Sequence, residues 1–354
     1  MKKRITILHI CTEEKKSKGF GGGVGGINNY SRRLLELQTD FSKCSLKLRF
    51  SYFSHPWGWP RFLFPFELIT RFFVDLVSFL IGYIRTRPDI VHIHGQYWLS
   101  IYREVFYSLF LRVMGVPYIY EMRAGAALIF YKKSSLNKGM IKYIAKGARV
   151  NLLQSPSQVT TFKSLIPNVH FGLSPNFADK QLTKLALSVP QFITREKLCV
   201  YVGYVSPYKN VQLIKLLAEN NRSYQFVLIG QIDEKETIRP SKNLHLVGRQ
   251  DRSYIYNIMM RARFFVFPSA MIGEGMSNAV VESIFLGATP ILYKADVLKE
   301  YLPPSLFCDS WENLDLDCVD AISDSTRQSF VKDYSANMQL DFLKNIYNEF
   351  DYVR

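Results

Sequence analysis

Short runs of β-branched and aromatic residues alternate with longer helix-patterned stretches along this chain, and that alternation leaves few folds open. Thr6 to Ile10, Ile90 to Ile93, Tyr118 to Tyr120 and Val150 to Gln154 read as strands in the first half. Leu198 to Gly203, Gln225 to Ile229, Leu244 to Val247, Phe264 to Phe267 and Thr289 to Tyr293 read as strands in the second. Strands separated by helices need crossover connections, so the class expected is α/β, with parallel sheets covered on both faces. At 354 residues two such domains are the natural division. Leu173-Ser-Pro-Asn-Phe-Ala-Asp179, with the polar and Pro-containing stretch to about Phe192, reads as the junction. In doubly wound sheets ligands bind beyond the carboxyl ends of the strands, so two facing domains would make a cleft between them.

The chain is 48% apolar, enough for real cores, and this excludes a disordered protein. Five cysteines, Cys11, Cys44, Cys199, Cys308 and Cys318, show no CxxC spacing. They argue against a disulfide framework or a zinc site and fit a reducing compartment. The start, MKKRITILHI, has a signal peptide's opening charges, but its apolar run is too short and it reads as a first strand.

Net charge is +15, and its distribution is uneven. Residues 1–180 hold 26 Lys/Arg against 10 Asp/Glu, whereas residues 181–354 hold 19 against 20. A basic half beside a neutral half points to an anionic partner, nucleic acid or membrane. Phe66 to Ile84 reads as an apolar helix with Glu67, Arg71 and Asp75 in one stripe, too charged to span a bilayer. The preceding His55-Pro-Trp-Gly-Trp-Pro-Arg-Phe-Leu-Phe-Pro-Phe66 suits a membrane–water boundary, or else a loop packed on a core. Lys138, Lys142, Lys146 and Arg149 form a basic stripe opposite Ile141, Ile144, Ala145 and Ala148. It reads either as a solvated face or as a second contact with an anionic leaflet.

The most specific chemical signal is Glu274 to Glu282, EGMSNAVVE. It lies between the strand Phe264 to Phe267 and an apolar helical pattern that closes at Gly287. A helix N-terminus offers N–H groups to an anion, and the two carboxylates accept hydrogen bonds from hydroxyls. A phosphorylated, polyhydroxylated ligand such as a nucleotide sugar suits both. Gly19-Phe-Gly-Gly-Gly-Val-Gly-Gly-Ile27 after the first strand lets backbone approach phosphate, or is simply a flexible loop. Val202-Gly-Tyr-Val-Ser-Pro-Tyr-Lys209 places a lysine between a strand and a helix, where it can neutralise a diphosphate. His92 and His94 share one strand face, but no third ligand with suitable spacing accompanies them, so no metal is expected; His94 is expected to line the cleft. Asp315-Leu-Asp317 is a DxD without supporting context.

Taken together, EGMSNAVVE with SIFLGATPIL, GGVGG, PDIVHIHG, GVPYIYEMRAG, SPNFAD, YVGYVSPYKN, FVLIGQ, NLHLVGRQ and FFVFPSA closely resemble glycosyltransferase family 4. The resemblance implies a GT-B fold, two facing Rossmann-like domains with an interdomain cleft. It implies an acceptor domain at 1–185, a nucleotide-sugar domain at 186–335, and a helix at 336–354 crossing back. Carried onto this sequence, Glu282 would bind the donor ribose and Glu274 would sit by the transferred sugar. Gly275, Met276, Ser277 and Asn278 would offer amides, and Lys209 would meet the diphosphate, with Gly203 and Tyr204 beside it. Gly22 or Gly23 would close from the opposite domain, Val247 and Gly248 would touch the base, and Asn28 would face the acceptor.

Two residues depart from that pattern. Tyr204 stands where the family usually has an arginine, and Arg123 where it often has a histidine. An arginine remains charged and cannot act as a base, so Arg123 would stabilise the leaving diphosphate and also border the acceptor. The resemblance implies sugar transfer with retention, with no cofactor, no metal, and a UDP-sugar favoured over a GDP-sugar as donor. The acceptor expected is a glycan on a polyprenyl diphosphate, in bacterial capsule or O-antigen assembly. The enzyme would be cytoplasmic and peripherally bound to the anionic inner face of the cell membrane. The alternatives are a GT-B nucleotide-sugar epimerase, a homologue that has lost catalysis, or a basic binding protein without catalysis. No nucleic-acid module is present, so nucleic acid is not the expected partner.

Overall fold

The computed structural model describes residues 4–12, 26–53, 61–95, 98–123, 125–189, 195–269 and 275–352. It divides into two units, Met1–Pro175 with Leu340–Arg354, and Asn176–Gln339. The second unit opens at Asn176, ahead of the expected 186, because the segment after Pro175 already serves it. Ala178 N–H bonds the Tyr334 carbonyl, and Asp179 both caps the following helix at the Leu182 amide and pairs with Arg252 at 2.9 Å.

The first unit holds one parallel sheet of β1 (Ile5–Thr12), β2 (Leu46–Phe53), β3 (Ile90–Gly95), β4 (Tyr118–Met122), β5 (Val150–Leu153) and β6 (Phe171–Leu173). Their order is β2-β1-β3-β4-β5-β6. Its helices are α1 (Gly26–Lys43), α2 (Phe64–Thr86), α3 (Ile101–Val113), α4 (Ala127–Lys133), α5 (Ser135–Gly147) and α6 (Pro156–Leu165). Alternation along the strands decides what each face meets. Leu8 and Ile10 of β1, Val91 and Ile93 of β3, and Tyr118, Tyr120 and Met122 of β4 pack with α2, α3 and α5 in one core. The residues between them, including His9, His92, His94 and Glu121, turn to the other face.

The second unit comprises α7 (Lys180–Ser188), β7 (Glu196–Val202), α8 (Gln212–Asn220), β8 (Gln225–Ile229), β9 (Leu244–Gly248), α9 (Arg252–Arg261), β10 (Ala262–Phe267), α10 (Asn278–Phe285), β11 (Thr289–Leu292) and α11 (Asp324–Asp333). The parallel order is β11-β10-β7-β8-β9. Leu198, Val200, Phe265 and Phe267 pack with α10, and Cys199, Tyr201, Phe264 and Val266 pack with α8 on the opposite face. A last helix, α12 (Ala336–Asn348), delivers Leu343 and Tyr347, both fully buried, to the first unit.

Candidate functional site

Within the second unit the strand order reverses between β10 and β7, which are hydrogen-bonded neighbours. Connections leaving their carboxyl ends run to opposite faces of the sheet, the arrangement at which open parallel sheets bind their ligands. The β7 connection contains Gly203, Tyr204 and Lys209; the β10 connection leads to α10. The switch point therefore brings the Lys209 connection and the start of α10, more than sixty positions apart, to one end of the sheet.

Gly203 follows β7 directly, and its N–H bonds the Ile229 carbonyl. Gly230 follows β8 with φ +151°, and a Cβ there would stand 1.7 Å from the Gly203 carbonyl oxygen. Two strand ends meet so closely that only glycine fits at position 230. Lys209 ends a short 3-10 turn, and Asn210 takes φ 56° to start toward α8. The Tyr204 hydroxyl donates to Asp233 Oδ2 at 2.6 Å, which pushes the phenol's pKa up. The missing arginine is thus replaced by a phenol tied to a carboxylate, and no cation stands at that position.

α10 is held from both ends. Arg327 Nε donates to the Ile284 carbonyl at 3.1 Å and its Nη2 to the Phe285 carbonyl at 2.7 Å. Arg195 Nη2 reaches the Leu286 carbonyl at 3.1 Å. Two cations at the carboxyl end satisfy carbonyls and complement the dipole. At the amino end Ser277 is the N-cap in extended conformation, yet its hydroxyl makes no capping bond. The Asn176 amide donates to the Met276 carbonyl and pins the approach to the helix. Asn176, from SPNFAD, is a positioning residue that sequence reading did not single out. Met276 is buried, while Gly275, Ser277, Asn278 and Glu282 are half-buried. Glu274 lies outside the described residues.

Val247 and Gly248 end β9. Gly230 N–H bonds the Gly248 carbonyl at 2.9 Å, and the Gln250 side chain bonds the Val247 carbonyl at 2.9 Å. Each of these carbonyls keeps a second acceptor site. The DxD has internal work: Asp315 accepts the Asp317 amide, and Asp317 pairs with Lys197 at 2.9 Å and accepts from Tyr224.

In the first unit, β1, β3 and β4 assemble a buried polar cluster. His9 and His92 are register partners on adjacent strands, and the His92 and His94 rings stack 4.3 Å apart. Sequence spacing shows no third ligand for the His92–His94 pair; the sheet supplies one in His9. The ligand atoms of the three imidazoles lie within 4.8 Å of one another. This donor set suits a cation such as zinc, but each ring nitrogen already faces a protein group. Glu121 Oε2 stands 3.2 Å from His92 Nε2 and 2.9 Å from His94 Nδ1. With those two nitrogens protonated toward the carboxylate, His94 Nε2 accepts from His9 Nδ1 at 2.8 Å. His92 Nδ1 then accepts the Tyr347 hydroxyl at 2.8 Å, and His9 Nε2 faces that same oxygen at 3.3 Å. Burial, with the neighbouring His92, lowers the pKa of His94 to about 4, and burial holds His9 well below its ordinary value.

Arg123 closes this cluster. Its Nη1 lies 2.7 Å from Glu121 Oε1, and its guanidinium rests 3.7 Å over the Tyr30 ring. Ser174 donates to the same carboxylate oxygen at 2.5 Å. Burial alone would raise the Glu121 pKa, but Arg123 and the bonds from His92 and His94 outweigh it and hold the carboxyl well below its usual range. His94 does not stand open at a strand end; it is wholly buried between His9 and Glu121. Arg123, expected beside the leaving diphosphate, pairs with Glu121 in the interior. Gly22 and Gly23 lie outside the described residues; Asn28 falls in the first turn of α1, its side chain outside them.

Residues 187–305 match the family model described as Glycosyl transferases group 1. No curated protein matches the chain. Among solved structures, sucrose-phosphate synthase from Thermosynechococcus elongatus is similar at 15% identity and TM-score 0.73, over 99% of this chain and 100% of that one. HepE from Anabaena, solved with UDP and glucose, is similar at 12% identity and TM-score 0.63, over 98% and 100%. A trehalose-6-phosphate synthase is similar at 10% identity and TM-score 0.65, over 97% and 99%. At these identities the likenesses show the fold, two Rossmann-like domains of the GT-B type. The matched domain makes the chain an enzyme of the glycosyltransferase class.

Proposed function

We propose that this protein is a retaining transferase of glycosyltransferase family 4. It moves a sugar from a nucleoside-diphosphate sugar, with a UDP-sugar favoured, to a saccharide carried on a polyprenyl diphosphate in bacterial surface-polysaccharide assembly. One observation carries the reading: the Lys209 connection and the amino end of α10 leave neighbouring strands at the switch point of the second unit. A lysine, backbone amides and the Glu282 carboxylate drawn from the two connections would match diphosphate and ribose. HepE solved with UDP and glucose, and the study of glycosyl transfer with retention in trehalose-6-phosphate synthase, support the donor class and the stereochemistry.

In the reaction the bond from the anomeric carbon to the diphosphate oxygen breaks and the acceptor oxygen bonds that carbon on the same face. The acceptor proton passes to the leaving phosphate oxygen, so no protein base and no metal are required. Lys209 and the amides of Gly275 to Asn278 take up the charge that develops on the leaving group. Glu282 holds the ribose, and Glu274 orients the transferred sugar. The acceptor's lipid carrier is supported by the basic excess of residues 1–180, which suits an anionic cytoplasmic leaflet.

Calorimetric titration with UDP- and GDP-sugars tests the donor. One class should bind with micromolar affinity, and incubation with it and a polyprenyl-linked saccharide should lengthen the glycan by one sugar. Heat-silent titrations with every nucleotide sugar would remove the proposal. Sugar isomers released without acceptor would replace it with an epimerase.

A further inference from the structure

α2 is amphipathic the wrong way round for a helix in water. Its charged residues Glu67 and Asp75 are buried, each 2% exposed. Beneath it Asp75 pairs with Arg103 of α3 at 2.5 Å, and Glu104 of the same helix accepts the Tyr120 hydroxyl at 2.6 Å. Arg71 of the same stripe is half-buried, and its desolvation lowers its pKa. The outward face instead carries Phe66, Ile69, Phe73, Val77 and Ile84, between 52% and 68% exposed, and Phe62 in the 3-10 turn just before the helix is 78% exposed. From Phe62 to Ile84 every residue classed as exposed is apolar. From Phe66 the spacing of three, four, four and seven residues keeps these side chains in one stripe, about 27 Å long at helical rise. A soluble surface seldom leaves such a stripe bare without an occupant.

We infer that this face of α2 is the surface by which the protein lies on an anionic lipid leaflet, with the phenylalanines entering the headgroup boundary. The inference deepens the lipid-linked acceptor proposed above, but it stands on this face alone. The charge around the stripe selects the occupant. Contacts of α2 with α3 and of α3 with α5 place the three helices in one layer on the same side of the sheet. Arg85 and Arg87 are exposed where α2 ends, Arg112 on α3, and Lys138 and Lys146 on α5 with Arg149 just beyond. Acidic residues of α2 and α3, by contrast, are all buried. An apolar stripe bordered by cations fits a film of anionic lipid, where aromatic rings enter and Lys and Arg meet phosphate. A second copy of the same face would set like charges against each other. No helix among the described residues is long and apolar enough to cross a membrane, so the mode is attachment in the plane.

Co-sedimentation of the full chain with vesicles tests this, using phosphatidylcholine with about one quarter phosphatidylglycerol, and phosphatidylcholine alone. Most of the protein should sediment with the anionic vesicles at low salt and much less with the neutral ones. Phe66→Glu with Phe73→Glu should lower the bound partition at least tenfold. Leu187→Glu, at an exposed apolar position on α7, should leave it unchanged. Melting temperature and nucleotide-sugar calorimetry on the same preparations show that the variant is folded and report separately on the donor reading. Equal sedimentation of the Phe66/Phe73 variant and the parent would overturn the inference. So would failure of the parent to sediment with the anionic vesicles, or a parent dimer in light scattering that these substitutions dissociate.

Discussion

Glu121 and Arg123 lie two residues apart on β4 and its exit, turn to the same face, and pair at 2.7 Å inside the first unit. Their partners explain why an arginine stands where a histidine is usual. A carboxylate that already takes bonds from His92 and His94 needs a permanent cation to stay ionised in a buried site, and imidazole is a poorer one.

Removing one partner strands the other. Arg123→Met is expected to destabilise the fold by about 3–5 kcal/mol, and Glu121→Gln by a similar amount. The double variant should cost clearly less than the sum, because the two share one interaction. Urea denaturation of the four proteins measures this. Additive losses, or a stable Arg123→Met protein that has lost only activity, would mean the pair is not a structural unit.

The histidine cluster gives stability a pH dependence. His94 has a folded pKa of about 4 against an ordinary 6.5, and His9 is depressed in the same sense. The unfolded chain therefore takes protons that the folded chain refuses. Stability is full above pH 6.5 and declines as pH falls from there through about 4. The slope is about 1.4 kcal/mol per pH unit for each proton taken up. His94→Asn should flatten the profile between pH 6.5 and 4, read from melting temperatures in a buffer series. An unchanged slope would rule out His94 as a source.

Lys209→Ala should weaken nucleotide-sugar binding by about 1.5–3 kcal/mol, the scale of a hydrogen bond to a charged group. The loss should persist with the free nucleoside diphosphate and vanish with the nucleoside. Calorimetry on the three ligands separates a diphosphate contact from a general disturbance; equal losses on all three would count against the assignment.

Gly230→Ala should destabilise the second unit by about 2–4 kcal/mol, from a strained backbone and a Cβ driven into the Gly203 carbonyl. Donor affinity should fall with it, because Gly203 opens the Lys209 connection. Thermal denaturation and titration of one variant report both, and a neutral substitution would show that the strand ends can part.

Much of the fold was readable because local signals repeated. Nine of the strands announce themselves as apolar runs between helical patterns, and all nine form. The edge strand β2, though it alternates, and the three-residue β6 were missed; an edge strand shows a half-buried pattern and a short one shows almost none. The described part of EGMSNAVVE, Gly275 to Glu282, leads into α10 after β10, as its pattern required. The role of Asn176 was hidden because it acts on a carbonyl a hundred residues away.

Periodicity alone established that Glu67, Arg71 and Asp75 share one side of α2, that His92 and His94 share one face of β3, and that the chain builds two parallel sheets. It could not say which side of α2 meets water, nor that His9 would stand beside His92. Spacing along one element follows from backbone geometry, which is local. What faces that element depends on sheet order and on which helices cover it, and these are settled only when distant segments compete for the same apolar surface.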